Sequence, residues 1–565
     1  VTVQDTKLKA GRFAFLINTY APEQSHSINI LDGSQLLGGN LMYLNGPGTT
    51  HLVIGGSTIG SGSGYGAVIM LANDPSLQFT LRDGAIFKGR YEQYGGGASV
   101  IKMNIESRST WQMERSESIK SLALDEGFVS LSDGTRSTRN TLTVESLSGS
   151  RGTFELTTNL GLLTSDQLKV TGTASGDFTL RVHNTGEEPK APQPATLIET
   201  NGGTAVFSLY GSVVDVGLYQ YRLQQQGNDW VLTPYQLTDQ DSSPGTDGLT
   251  STVLPHVPAS RSLTASARTL ISSHVATPQL LQGENRAIQE QLNDLRYGQA
   301  RGGAWAKTFG RKSQGTADSD VNYNQDLWSM VLGYEGPIRE AQIPLTLGVF
   351  GGYSQSEIGV DGPSKSQLKS AYVGLYGSLS DSSGLYFDGV FKVNRLFSDA
   401  QVTMSSGSKA HGKFQTDAIS VLAEAGKRLE LDKHWYAQPF VQLSAAHVIG
   451  YHQNLSNGMR ARAESLDMAQ ASVGITLGFK HDLGPRNALE PYLRLALGRE
   501  FNDRNTIQIN GADFDNNLAG YQRSVGVGAG MGLLEDLRVD ARFDVVKTRR
   551  VDHDRGGSFS LVYSF

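Results

Sequence analysis

From about residue 301 to the end, apolar and polar residues alternate with a period of two. At 537–545, Leu537, Val539, Ala541, Phe543 and Val545 share one face, and Arg538, Asp540, Arg542 and Asp544 share the other. At 489–500, Leu489, Pro491, Leu493, Leu495 and Leu497 oppose Glu490, Tyr492, Arg494 and Glu500. At 385–394, Leu385, Phe387, Phe391 and Val393 oppose Asp388, Lys392 and Asn394. Successive side chains of a strand point to opposite faces, so each segment is a strand with one apolar and one polar side. Twelve such strands are read, at 303–312, 324–338, 343–358, 365–380, 384–398, 412–430, 434–451, 465–482, 488–503, 519–533, 537–547 and 556–565. A soluble sandwich also alternates, but it hides its apolar face in a core. Long strands with regular apolar and regular charged faces instead predict a closed barrel with lipid outside and water inside. An even strand number puts both barrel ends on one side of the membrane, with the C-terminus periplasmic.

One strand departs from the rule. Val525, Val527, Ala529, Met531 and Leu533 face lipid, which leaves Gly526, Gly528, Gly530 and Gly532 to line the lumen beside Arg538, Asp540, Arg542 and Asp544. A glycine row admits another backbone closely. The segment expected there is the polar helix that precedes the barrel. From Gln279 to Arg296 helix formers dominate, and Leu281, Ile288, Leu292 and Leu295 make a thin apolar stripe. Around it stand Glu284, Arg286, Gln289, Glu290, Gln291, Asp294 and Arg296. A helix polar nearly all round needs polar surroundings, which a barrel lumen offers.

Residues 1–235 follow another pattern. Short apolar runs recur at 76–81, 100–105, 121–126, 140–146, 166–172 and 195–200, at intervals of roughly 20–28 residues, as in solenoid coils. Most are followed by turn residues and a second run, such as RDG then AIFKG or TASG then DFTLRV. Each coil leaves an apolar face that only the next coil covers. A parallel β-helix is the natural solution, with a β-sandwich as the alternative. Residues 1–75 read only as irregular early coils. The run TDQDSSPGTDG at 238–248 reads as a flexible linker. The expected domains are therefore a solenoid at 1–235, a linker at 236–262, a helix at 263–300 and a barrel at 301–565.

Composition narrows the function. Lys and Arg total 49 against 55 Asp and Glu, a balance that argues against a nucleic-acid binder. The 66 glycines have no period of three, so they suit many short strands and tight turns. With no Cys, disulfides and thiolate chemistry are excluded, which fits a chain threaded through a narrow pore. No apolar run reaches 18 residues, so a transmembrane helix is not expected, while a barrel stays allowed. No signal peptide follows Val1, so an export signal is expected to have been removed or to lie before it.

Candidate chemistry is sparse. No G-x-S-x-G elbow occurs, and the GSGSG run at 60–64 centres on Gly62. The solenoid has three histidines, His26, His51 and His183, none in an H-E-x-x-H helix. A site joining His26 or His51 to Asp32 or Asp74 is the weaker alternative. Arg494, Glu500, Arg538, Asp540, Arg542 and Asp544 read as a solvated lumen lining rather than an acid–base cluster. No catalytic, metal or cofactor site is assigned. The default is an adhesive surface of stacked strands, although no Arg-Gly-Asp triplet is present; a displayed peptidase or esterase is the alternative.

Three stretches carry a family resemblance. They are NTLTVESLSGSRGTFELTTNLGLLTSDQLKVTGTASGDFTLRVHNTGEEP at 140–189 with GNDWVLTP at 227–234, LNDLRYGQARGGAWAKTFG at 292–310, and GSFSLVYSF at 557–565. Together they resemble the C-terminal end of type Va autotransporters of the pertactin-like family. The resemblance implies an all-β chain: a right-handed parallel β-helix passenger, a pore-spanning α-helix, and a 12-stranded antiparallel transmembrane β-barrel. It implies an autochaperone segment at about 140–235, and an assembly signal in Phe559, Leu561, Tyr563 and Phe565. The implied partners are outer-membrane lipid, the outer-membrane barrel assembly machinery, periplasmic chaperones and a host or neighbouring cell surface, with no nucleic acid and a monomeric chain. The implied place is the outer membrane, with the passenger at the cell surface. The gly-asp-ser-gly type motif of the family's serine proteases is absent. Self-cleaving members carry an Asn-Asn pair in the pore helix, and here Arg286 and Ala287 stand at that place. Intrabarrel cleavage is therefore not expected.

Overall fold

The parallel strands of the first unit explain its repeat. The computed structural model describes residues 1–564 except 10, 37–39, 61–66, 95–98, 133–138, 185–192, 235–262, 298–301, 339–343, 361, 485–486 and 535, together with the side chains of 294–297 and 487. Two parallel sheets run through the first unit. One contains Ser25–Leu31, Thr49–Gly55, Ser76–Arg82, Val100–Glu106, Glu117–Asp125, Thr141–Ser150, Gln167–Ala174 and Ala195–Thr200 in chain order. The other takes the run that follows each of these, including Ile86–Tyr94, Gly152–Asn159 and Asp177–Asn184. Parallel pairing from coil to coil settles the solenoid over the sandwich. The early coils are regular too, since Ile28 lies beside Leu52 and Leu52 beside Phe79.

That register builds the core. Phe79 continues to Met103, Met103 to Leu122 and Leu122 to Leu147, all buried. Each coil thus covers the apolar side chains of its neighbour, at about 25 cal/mol per Å² of apolar surface removed from water. An aromatic ladder runs Phe154, Phe178, Phe207 and Trp230, with ring centres 5.7, 5.2 and 5.6 Å apart. Gly176, at φ +111°, takes a turn in which a Cβ would overlap the Gly149 carbonyl of the previous coil. The sheet ends in an antiparallel meander: Ala195–Thr200 pairs with Asp229–Pro234, which pairs with Tyr219–Gln226 and then Val214–Val216.

The second unit is a helix inside a barrel. Helix α1 spans Ala265–Tyr297 and contains Pro278. Twelve antiparallel strands follow: β1 Gly303–Thr316, β2 Asn322–Ile338, β3 Leu345–Val360, β4 Lys365–Ser380, β5 Leu385–Thr403, β6 Lys409–Lys427, β7 Trp435–Val448, β8 Leu466–Phe479, β9 Asn487–Glu500, β10 Gly520–Leu534, β11 Leu537–Lys547 and β12 Val551–Ser564. Each pairs with the next, and β1 pairs with β12 from Gly303 opposite Ser564, which closes the barrel. Closure leaves no unpaired edge. Several ends differ from those expected; β6 runs 409–427 rather than 412–430, and β7 stops at Val448.

The two rims differ. The start of β1 at Gly303, the end of β12 at Ser564 and short turns such as 381–384 lie at one rim. At the other, the β7–β8 and β9–β10 connections form an additional four-stranded sheet of Tyr451–Asn454, Arg460–Ala463, Thr506–Ile509 and Ala512–Asp515. Over the middle of the strands outward side chains are mostly apolar, as with Val525, Val527, Phe543 and Val545, while Asp540 and Asp544 are turned inward and buried.

Candidate functional site: a helix in the barrel lumen

Helix α1 begins at the long-loop rim. Asn457 Nδ2 donates to Ser266 Oγ at 3.0 Å, and Asn516 Nδ2 donates to the Ile271 carbonyl at 3.1 Å. Between them and the helix middle, His274 Nδ1 lies 3.2 Å from the Tyr451 hydroxyl. The first half is rich in Ser and Thr, and Thr269, Ser273 and Thr277 hydroxyls donate to the carbonyls four residues back at 2.8, 2.8 and 3.0 Å. Those hydroxyls are satisfied inside the helix, so it can be buried without stranding them.

The helix middle is held by charge. Glu284 Oε2 accepts from Lys392 Nζ at 2.6 Å and from Asn394 Nδ2 at 2.7 Å, and neither the Glu284 nor the Lys392 side chain is reached by solvent. Asn394 also donates to Ser370 Oγ at 2.8 Å. Arg286 Nη1 lies 3.4 Å from Asp554 and 3.9 Å from Asp544. Glu290 accepts from Ser558 Oγ at 2.7 Å and lies 3.6 Å from Lys307 and 3.3 Å from Arg542. Gln289 donates to Glu424, which also pairs with Arg494 at 2.7 Å and accepts from the Tyr386 hydroxyl at 2.9 Å. The thin apolar stripe is used as well: Ile288 and Leu292 pack with Trp305, Val331, Phe350, Tyr372 and Tyr376. The side chains of Asp294 and Arg296 lie outside the described residues.

The glycine row has a different use from the one expected. The helix lies along β1–β6, with a polar cavity between it and β7–β11 lined by Gln282, Asn285, Arg286, Gln289, Arg494 and Arg542 among others. Space over Gly528 is taken by the Tyr492 ring, over Gly530 by Arg538 and Asp540, and over Gly526 by Arg542. Gly532, which lies opposite Arg538, completes the row on β10. The glycine that eases contact between helix and wall is Gly283, where a Cβ would stand 2.9 Å from Leu327 Cδ2 and 3.3 Å from Arg311 Cδ. Side chains, not a backbone, fill the space beside β10.

The wall carries its own network. Arg311 makes two 3.0 Å hydrogen bonds to Asp544 and reaches Asp554 at 3.2 Å, and Arg538 pairs with Asp540 at 2.9 Å and Glu490 at 3.4 Å. Glu500 stands apart from the helix and accepts from the backbone of Ala469 at 2.7 Å. Lys307, Arg311, Glu424, Asp554 and Ser558 were not singled out from sequence. In β1, Trp305 and Phe309 share the inward face with Lys307 and Arg311, which masks the polar period. On β12, Phe559, Leu561 and Tyr563 point outward and are exposed, and Phe565 lies outside the described residues.

Among its described residues the solenoid also holds a charged cluster. Arg90 pairs with Glu92 at 2.9 Å and Glu114 at 2.8 Å, and Arg115 with Glu117 at 3.4 Å. Burial pushes the Glu117 carboxyl up to about 7. His183 pairs with Glu155 on the adjacent coil at 3.0 Å. Among the described residues no three His, Asp or Glu side chains gather as metal ligands.

Two family models match this chain: the autotransporter beta-domain over residues 304–544 and pertactin over residues 119–234. Autotransporter CRAC of Citrobacter rodentium is 30% identical over 524 residues, covering 90% of this chain and 32% of that protein. The probable autotransporter YpjA of Escherichia coli K12 is 32% identical over 433 residues, covering 71% of this chain and 28% of that one. The autotransporter adhesin/invasin TibA of Escherichia coli O78:H11 is 28% identical over 513 residues, covering 82% and 51%. The chain thus spans from under a third to about half of the length of these relatives.

Proposed function

Because this chain belongs to the autotransporter family, joining a pertactin-like passenger end to a translocator barrel, we propose that the barrel carries the passenger across the outer membrane and then holds it on the cell surface. The observation that carries this is the helix in the lumen. Its charged residues 284, 286 and 290 find partners on the inner wall of the barrel, so the segment that joins passenger to barrel is retained inside the pore. Its N-terminal turns meet the long-loop rim, and barrels of this class keep short turns periplasmic and long loops outside. Passenger display on the outer side follows.

Export proceeds without a nucleotide in this reading. The passenger leaves as a hairpin, the 140–235 segment folds first, and each new coil buries apolar surface that opposes return. The aromatic ladder into Trp230 supports a folding start at that end. The barrel assembly machinery reads the alternating Phe559, Leu561, Tyr563 and Phe565, after periplasmic chaperones deliver the chain. Arg286 and Ala287 offer no side-chain amide for self-cleavage, so the passenger stays joined to a monomeric barrel. The exposed faces of the stacked strands contact a host or neighbouring cell, as the adhesin/invasin name of TibA suggests.

Protease shaving of intact cells, with blots against both ends, tests this. Loss of the 1–235 region with a protected barrel fragment supports display, and one full-length band before treatment supports retention. Protection of both regions overturns the export direction. A display strain that binds host cells no better than one showing the barrel alone overturns adhesion.

A further inference from the structure

The outer wall of the barrel is charged unevenly near its long-loop rim. On β3–β6 three outward cations have carboxylate partners, Lys365 with Glu357, Lys413 with Asp399 at 3.2 Å and Arg395 with Asp417 at 2.7 Å, while Lys369 and Lys409 show none among the described residues. On the other side, outward cations stand on five successive strands: Arg499 on β9, Arg523 on β10, Lys547 on β11, Arg555 on β12 and Lys312 on β1. Arg523 lies directly opposite Lys547, and Arg555 opposite Lys312. Only Lys312 has a carboxylate near it among the described residues, Asp326 at 3.5 Å. The outward positions of β9–β11 hold no Asp or Glu among the described residues, and the exposed carboxylate on β12 is Asp552, at the rim end of that strand.

Cations on a lipid-facing wall are costly at mid-membrane and tolerated near the interface. These five lie toward the long-loop end of their strands, at the level of the outer leaflet. Strands lie about 4.8 Å apart, so the row spans roughly 20 Å. The Arg499 guanidinium lies 5.5 Å from the Phe501 ring centre and 5.4 Å from that of Tyr521, which fixes it in an aromatic layer. Beside it, outward alanines leave an apolar groove of about 310 Å³, lined by Val421, Ala423, Leu443, Ala445, Ala471 and Phe501. Ala471 is the direct cross-strand neighbour of Arg499. A row of cations, four of the five with no carboxylate partner among the described residues, beside an apolar groove complements a molecule with several phosphates and several acyl chains.

We propose that this face binds the phosphorylated glycolipid of the outer leaflet, its phosphates on Arg499, Arg523 and Lys547 and one acyl chain in the groove beside Phe501. Arginine suits phosphate because its planar fork makes paired hydrogen bonds. The row is long enough to meet two phosphates of one headgroup, which a single-phosphate phospholipid does not offer. This inference rests on the outer-membrane placement of the barrel.

The test uses the full chain, purified in detergent and equilibrated with bisphosphoryl lipid A, dephosphorylated lipid A or phosphatidylglycerol, with bound lipid read by native mass spectrometry. Bisphosphoryl lipid A is expected to bind at least tenfold better than the other two. R499Q/R523Q/K547Q should lose about tenfold in affinity, and R499K/R523K/K547R should keep most of it. Heat-modifiable migration on gels shows that each barrel is folded; if the Gln variant does not fold, the comparison of the three lipids on the unaltered chain decides. Equal binding of dephosphorylated lipid A or phosphatidylglycerol, or a folded Gln variant that binds normally, overturns the proposal. A chain that fractionates away from the outer membrane overturns the placement itself, whereas one that fractionates there without lipid selectivity overturns this inference alone.

Discussion

The Glu284 carboxylate and the Lys392 ammonium lie 2.6 Å apart, the first on the helix, the second on β5, with solvent excluded from both. Removing one partner leaves the other charged and buried, at about 3–5 kcal/mol, more than a well-packed neutral pair of similar volume costs. Lys392→Met is therefore expected to loosen the helix in the lumen, and the double change E284M/K392M to recover most of the loss. Protease access to the helix in the purified full chain measures both; equal damage in single and double variants would remove the pair as the cause.

Glu117 makes the passenger sensitive to pH. Its carboxyl titrates at about 7 in the folded coil against 4.5 as the ordinary value, because burial disfavours the charge. The folded chain then holds a proton that the unfolded chain has released, so stability falls as pH rises from about 4.5 to about 7 and levels off above. The loss is on the order of 3 kcal/mol. Glu117→Gln should flatten that dependence and raise stability at pH 7.5. Urea-dependent proteolysis of the passenger at pH 5 and pH 7.5 is the measurement; an unchanged slope in the variant refutes it.

Asp166 ties together three stretches of chain around the start of the 140–235 segment. Wholly buried, it accepts from Ser132 Oγ at 2.6 Å and from the backbone amides of Asn140 and Thr157, both at 2.7 Å. Asp166→Ala strands two buried amides, each worth about 1–3 kcal/mol. We expect less protease-resistant passenger at the surface with unchanged barrel folding. Wild-type amounts of resistant passenger would show that water or relaxation replaces the carboxylate.

Several inward glycines sit directly across from an aromatic ring: Gly348 from Tyr376, Gly352 from Tyr372, Gly478 from Tyr436 and Gly528 from Tyr492. Each ring lies over the space that a Cβ would need. Gly348→Val should push Tyr376 aside and break the 2.8 Å hydrogen bond from Trp305 Nε1 to its hydroxyl, at about 1–3 kcal/mol of overpacking. The temperature at which the folded band disappears on gels should fall, while Gly336→Ala, where nothing lies within 4 Å of the added Cβ, should leave it unchanged.

The barrel strands were legible because Leu537 to Val545 and Arg538 to Asp544 separate cleanly at period two, a pattern that one residue of slip would destroy. The lumen was legible where the polar face is charged, as at Lys392 and Asp540. It was hidden on β1, where Trp305 and Phe309 share a face with Lys307 and Arg311. The glycine row was misjudged for a physical reason: a glycine shows that something approaches closely, not whether that is a helix or a ring such as Tyr492. The rim strands of four residues, such as Arg460–Ala463, are too short to show a period at all.

In polymer terms, the antiparallel meander from Val214 to Pro234 is a chain terminator. A parallel sheet otherwise presents, at its last coil, an edge ready to accept an identical coil from a neighbouring molecule. Here Asp229–Pro234 occupies the edge of Ala195–Thr200 in the opposite direction. Copies packed side by side on a crowded surface therefore cannot propagate the stack from one molecule into the next through this end, and a fold whose repeats are made to add indefinitely is held to the length of its own chain.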